Sequence, residues 1–152
     1  MREQSGRSLI ELIGFMAIVS VMTVSSVKIY NTVRKNQIRT IANAELNQLV
    51  ENTKLLMENY GSYEGLSIDY LIKAGALKNN QAPIGDDGWS IAPSVDGKSF
   101  SINLVNLSSG DCNYFSATLP KWANNMLVNG FETTSTNNCF DSSTNQVSFI
   151  VE

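Results

Sequence analysis

The chain has 152 residues, enough for one domain, and 43% of them are hydrophobic, an ordinary share for a protein with a real core. It contains no His and two Cys, whereas a zinc site needs about four N or S ligands and a Ser or Cys nucleophile needs a base; the expectation is a protein that is not an enzyme and holds no metal or cofactor. After Gly61, four Lys and no Arg stand against six Asp and three Glu, so the soluble part lacks the basic face that direct nucleic-acid binding demands.

The apolar residues are unevenly placed. Residues 12–27 carry no charge, whereas the C-terminal part is rich in Ser, Asn, Gly and Thr, the pattern of a membrane or signal segment joined to a soluble part. As a helix, residues 9–27 would span ~28 Å, close to the ~30 Å of a hydrocarbon core. A secretory signal peptide would have a shorter apolar region followed by a small-residue cleavage site, and none follows Val27. Glu11 sits inside the apolar run with Leu9, Ile10, Leu12 and Ile13 around it. An ionised side chain at mid-membrane costs ~3 kcal/mol, and less near the end of a span, so such a residue is usually functional and paired. Arg7 is one candidate partner. Lys28, Arg34, Lys35 and Arg39 cluster just beyond the run, where cations meet lipid headgroups.

Gly6, Arg7, Ser8, Leu9, Ile10, Glu11 and Leu12, followed by the apolar run, resemble the type IV prepilin processing motif. That resemblance implies cleavage between Gly6 and Arg7 by a membrane prepilin peptidase on the cytoplasmic side. It also implies N-methylation of Arg7 and a role for Glu11, the fifth mature residue, as an assembly contact. The family usually begins its mature chain with Phe, Met or Leu, and this chain departs from that at Arg7. Counting cations, Arg2 and Arg7 against four beyond the run, favours the opposite topology. The motif and the cysteines instead place the N-terminus in the cytoplasm and the C-terminal domain outside it.

The helix continues with one apolar stripe, Ile38, Ile41, Ala42, Leu46, Leu49, Val50, Leu56, Met57 and Tyr60, opposite Gln37, Arg39, Asn43, Asn47, Glu51, Lys54 and Glu58. No Pro interrupts it and Gly61 offers a stop, so residues 8–60 read as one helix. Helical spacing recurs over 65–76. Residues 89–95 and 98–107 flank Asp96-Gly97 as a hairpin with a two-residue turn. Residues 108–111 read as a loop and cap for a short helix over 112–119, ended by Pro120. A second short helix is expected over 121–127, a polar stretch over 129–138 and a terminal strand over 146–151. Asp86 and Asp87 read as solvated turn residues, and Trp89 and Trp122 as core aromatics. Cys112 and Cys139 read as one disulfide formed in an oxidising compartment, with two separate buried thiols as the alternative.

Tyr63-Glu64-Gly65-Leu66 after the long helix, Gly88-Trp89, Asp111-Cys112 and Asn138-Cys139 extend the resemblance toward type IVb pilins: the bundle-forming, toxin-coregulated and conjugative thin-pilus kinds. The resemblance implies an α+β pilin fold, a long N-terminal helix packed on a mainly antiparallel sheet with one disulfide. The expected organisation is a leader over 1–6, a helix over 7–60 that crosses the membrane at about 9–27, and a globular head over 61–152 containing a disulfide-bounded region, 112–139. The implied role is that of a self-polymerising pilus subunit, held in the inner membrane before assembly and serving adhesion, aggregation or conjugative contact at the cell surface. Its implied partners are copies of itself, the peptidase, the inner-membrane assembly machinery and the membrane. A type II secretion pseudopilin and a plain single-pass envelope protein are the alternatives.

Overall fold

The computed structural model describes residues 2–133 and 138–152, the side chains of residues 2–8, 23 and 24 excepted. The chain divides into two compact units, Met1–Ile38 and Arg39–Glu152. The first consists of the opening part of helix α1, Arg2–Glu58. Its sequence lacks Pro and holds one Gly-free stretch after Gly14 up to its end, so nothing breaks the hydrogen-bond ladder. The helix stops two residues short of the expected position: the Tyr60 amide donates to the Met57 carbonyl at 3.0 Å. Gly61 then takes the left-handed φ of 64° that turns the chain away.

In the second unit, α1 buries Ala42, Leu46, Leu49, Val50, Thr53 and Met57, steps of three and four residues that keep one face inward. Ile38, Ile41 and Tyr60, expected on that stripe, are exposed instead. The helix packs on a five-stranded antiparallel sheet formed by β1 (Ser90–Pro93), β2 (Phe100–Leu107), β3 (Asn125–Val128), β4 (Phe131–Glu132) and β5 (Asn145–Val151), in the order β1-β2-β5-β3-β4. Phe100, Ile102 and Leu104 alternate inward on β2, Met126 and Val128 on β3, and Val147, Phe149 and Val151 on β5, as one-sided cover requires. Leu66 and Leu71 close the core beside helix α2, Ile68–Lys73. That helix is shorter than the 65–76 expected, because Ser67 caps its start, accepting from the Tyr70 amide at 3.1 Å, and Gly75 at φ 79° ends it.

The β1–β2 hairpin forms, but not around a two-residue turn. Pro93 pairs with Phe100, and residues 94–99 make a wider loop closed by the Ser94 amide on the Ser99 carbonyl at 2.8 Å. Asp96 organises this loop, accepting from the Ser94 hydroxyl and from the Lys98 amide. Helix α3, Ser109–Ser116, starts earlier than the 112–119 expected because Ser108 caps it. Ser108 accepts from the Asp111 amide at 3.1 Å and donates to the Asp111 carboxylate at 2.8 Å, a reciprocal cap. The helix expected over 121–127 is absent. Met126 and Val128 instead point inward from strand β3, joined to β4 by Asn129-Gly130. Both turn residues have positive φ, 51° and 84°, the geometry of a tight hairpin turn that follows strand twist.

Two expectations follow. Thr53 is fully buried and its hydroxyl has no hydrogen-bond partner among the described residues. Thr53→Val, which keeps the shape and removes the unmet hydroxyl, should stabilise by about 1 kcal/mol, read as a raised denaturant midpoint for the full chain in detergent. The hydrogen bonds from Ser94 and then Lys98 hold the Asp96 carboxyl below its usual range. A carboxyl depressed on folding contributes stability above its unfolded pKa of about 4 and loses it as pH falls through the lower folded value. The Lys98 amide resonance should therefore titrate with a midpoint below the ordinary carboxyl value of about 4.

Candidate functional site

Two regions carry the residues singled out by sequence. The first is the opening half of α1, where every described side chain over 9–38 is exposed. Its large apolar residues range from Val19 at 41% to Ile10 at 74% exposed, a continuous apolar surface that water does not tolerate and that lipid or protein must cover. The stretch is long and apolar enough to cross a membrane. Four of its hydroxyls are compatible with such a surrounding. Ser20, Ser25, Ser26 and Thr32 each donate to the carbonyl one turn back, at 2.8, 3.0, 2.8 and 3.0 Å, so they need no water. Glu11 is an exposed residue of this helix. Gly6 and Arg7 are helical residues of α1, but the surroundings of both lie outside the described residues. The structure therefore brings no partner to Glu11 within the chain's described part.

The second region is the disulfide-bounded face. Cys112, buried on α3, is bonded to Cys139 with Cα atoms 5.9 Å apart, so the pair reads as the single disulfide and not as separate thiols. The Cys139 end is held by a network centred on Asn145, a fully buried polar residue at the start of β5. Its Oδ1 accepts from the Phe140 amide at 2.7 Å and from Asn129 Nδ2 at 2.9 Å. Its Nδ2 faces the carbonyls of Phe140, Ser142 and Leu107 at 2.9, 3.0 and 3.3 Å. Asn129 in turn donates to the Asn138 carbonyl at 2.7 Å and accepts from the Gln146 amide at 2.9 Å. Two asparagines thus give irregular backbone its hydrogen-bond partners, which a buried loop otherwise lacks.

The other end of the bridge is tied to α1. Arg39 Nε meets Asp111 Oδ1 at 2.7 Å with both side chains largely shielded, and its guanidinium lies 5.7 Å from the Tyr114 ring centre. A Cβ at Gly110 would approach the same guanidinium to 2.7 Å, so the glycine leaves it room. Arg39 was expected among the headgroup-facing cations; its carboxylate partner places it on the head. Lys28, Arg34 and Lys35 remain exposed.

No protein-family model matches the chain, and no curated protein matches it either. Among solved structures, the chain is similar to that of TcpA, a type IV pilin from Vibrio cholerae El Tor biotype, with a TM-score of 0.59 and 14% identity, over 76% of this chain and 99% of that one. The chain has the pilin fold. Within that pilin fold the remaining candidates take structural places. Trp89 is buried and donates to the Asn80 carbonyl at 2.7 Å, and Trp122 packs on Phe149 with ring centres 4.8 Å apart. Asp86 and Asp87 are exposed, with Asp86 accepting from Asn106 at 3.1 Å.

Asn129 and Asn145 escape a reading for chemistry because each is a lone amide in a polar stretch; the one available signal is the Asn129-Gly130 dipeptide. Asn145→Ala should cost about 3 kcal/mol, since it orphans buried groups on several sides. Denaturant unfolding of the full chain in detergent checks this, and Ser142→Ala, at an exposed loop position, should leave the midpoint almost unchanged.

Proposed function

We propose that the chain is a type IV pilin, a structural subunit that leaves the membrane by polymerising through α1. The observation that carries the reading is one helix whose first half exposes a continuous apolar surface while its second half forms the core of a pilin-fold head. Lipid covers such a surface in a single subunit, and identical helices cover it in a filament. The disulfide supports a head located outside the cytoplasm.

Processing between Gly6 and Arg7 exposes a new ammonium at Arg7, the position that also receives the methyl group. Glu11 is poorly solvated in lipid, and in a filament the ammonium of a neighbouring copy is its partner. Opposite charges attract more strongly in an apolar surrounding than in water, so the pair favours assembly and sets the register of the incoming subunit. The type IVb resemblance adds adhesion, aggregation or mating contact as the filament's use, with the peptidase and the inner-membrane assembly machinery as transient partners. Residues 61–152 then form the surface that the filament shows to its surroundings.

Intact-mass analysis of sheared surface filaments should find this chain without residues 1–6 and about one methyl heavier. Glu11→Gln should leave a processed, disulfide-bonded, membrane-resident subunit and few or no filaments, scored by a shear assay beside a membrane immunoblot. A mature protein retaining its first six residues would overturn the pilin reading. Normal piliation by Glu11→Gln would leave apolar packing as the driver of assembly.

A further inference from the structure

The charges on the exposed surface of α1 repeat in a way that folding of a single chain does not use. Lys28 and Lys35 are separated by one seven-residue step, and so are Glu51 and Glu58. Seven residues are close to two helical turns of about 3.6 residues each, so each pair lies on one face, about 10 Å apart along the axis. All four side chains are exposed, as are Thr32 and Leu55, which stand between the members of each pair. Leu55 is 68% exposed, a large apolar side chain flanked by two acids. Thr32 is flanked by two cations, with its hydroxyl already committed to the Lys28 carbonyl. Among the described residues, the ion pair found is that of Arg39 with Asp111, so neither face meets an opposite charge among those residues.

We propose that these two faces dock on each other between parallel copies of the chain, Lys28-Thr32-Lys35 of one against Glu51-Leu55-Glu58 of a second. Lys28 to Glu51 and Lys35 to Glu58 are the same step in sequence, 23 residues, which corresponds to an axial stagger of about 34 Å. The stagger brings Leu55 level with Thr32, and it also brings Glu11 of one copy level with Arg34 of the other. No like charges of α1 come level at this offset, and Lys54, at the edge of the acidic face, meets the neutral Asn31. Exposed single pairs contribute little in water. Paired faces closed around an apolar contact are shielded from it, and their main effect is on register and on rejection of other staggers. The inference rests on the filament reading and adds a contact with a different neighbouring copy from the one whose ammonium meets Glu11.

Two measurements test it. In cells that assemble wild-type filaments, Lys28→Glu with Lys35→Glu should lower sheared filament yield about tenfold or more, and so should Glu51→Lys with Glu58→Lys. The chain carrying all four substitutions should recover most of the wild-type yield, because the attraction is restored with its sign exchanged. Separately, Thr32→Cys with Leu55→Cys leaves every charge in place and should give a ladder of disulfide-linked multimers from oxidised filaments on a non-reducing gel. Thr32→Cys with Gln48→Cys, at a different stagger, should give none. Full piliation by both charge-reversed pairs, or equal ladders from the two cysteine pairs, overturns the docking register while leaving the filament reading intact. If Lys28 and Lys35 serve lipid headgroups alone, the four-substitution chain stays defective and no ladder forms, which also overturns it. Cells in which the wild-type chain forms no filament overturn the filament reading, and the docking register falls with it.

Discussion

The Arg39–Glu152 unit depends on one requirement: the stripe of Ala42, Leu46, Leu49, Val50 and Met57 must be taken out of water. A helix face of that width needs a flat apolar partner, and a sheet with one buried face provides it. The alternation on β2, β3 and β5 follows, because a strand covered on one side has every second residue free to be polar. Phe100, Ile102, Leu104, Phe149 and Val151 form that apolar layer. The disulfide and the asparagine network act at its margin. They hold the loops that pass from one strand to the next, where apolar side chains are too few to fix the backbone.

What could be read in the sequence was what periodicity carries. The long helix, the terminal strand and the existence of a β1–β2 hairpin all rest on repeats of several apolar residues, and the structure has each of them. The errors fall where the apolar signal is short. Lys121, Trp122, Ala123, Met126 and Leu127 fit a helical turn as well as a strand, and the decision is made by tertiary pairing of β3 with β5. Asn129-Gly130 was the local clue for a hairpin, and it outweighs the polar character of its neighbours. Asp96-Gly97 carried the same kind of clue but did not close a two-residue turn. There the Asp96 carboxylate bonds Ser94 and Lys98 and stabilises a wider loop instead.

Ionisable residues showed a similar division. The position of Glu11 inside an apolar run was legible because the cost of charge in lipid is a property of the residue and its neighbours in sequence. The pairing of Arg39 with Asp111 was not, since the two are far apart in the chain and meet only once α3 has been placed against α1. Exposure of Ile41 was not legible either: within the Arg39–Glu152 unit the buried face of the helix runs through Ala42, Leu46 and Leu49 and leaves Ile41 outside it.

The strand order has a consequence for the sequence of events in making the molecule. β5 comes after the other four strands in sequence, yet it lies at the centre of the sheet, between β2 and β3. Until those seven residues arrive, β1–β2 and β3–β4 are two unjoined hairpins with open inner edges, and the helix stripe faces an incomplete layer. A chain made from its N-terminus therefore commits α1 to its surroundings long before the head can close. A chain clipped before β5 therefore exposes unpaired strand edges of the kind that proteases and chaperones recognise.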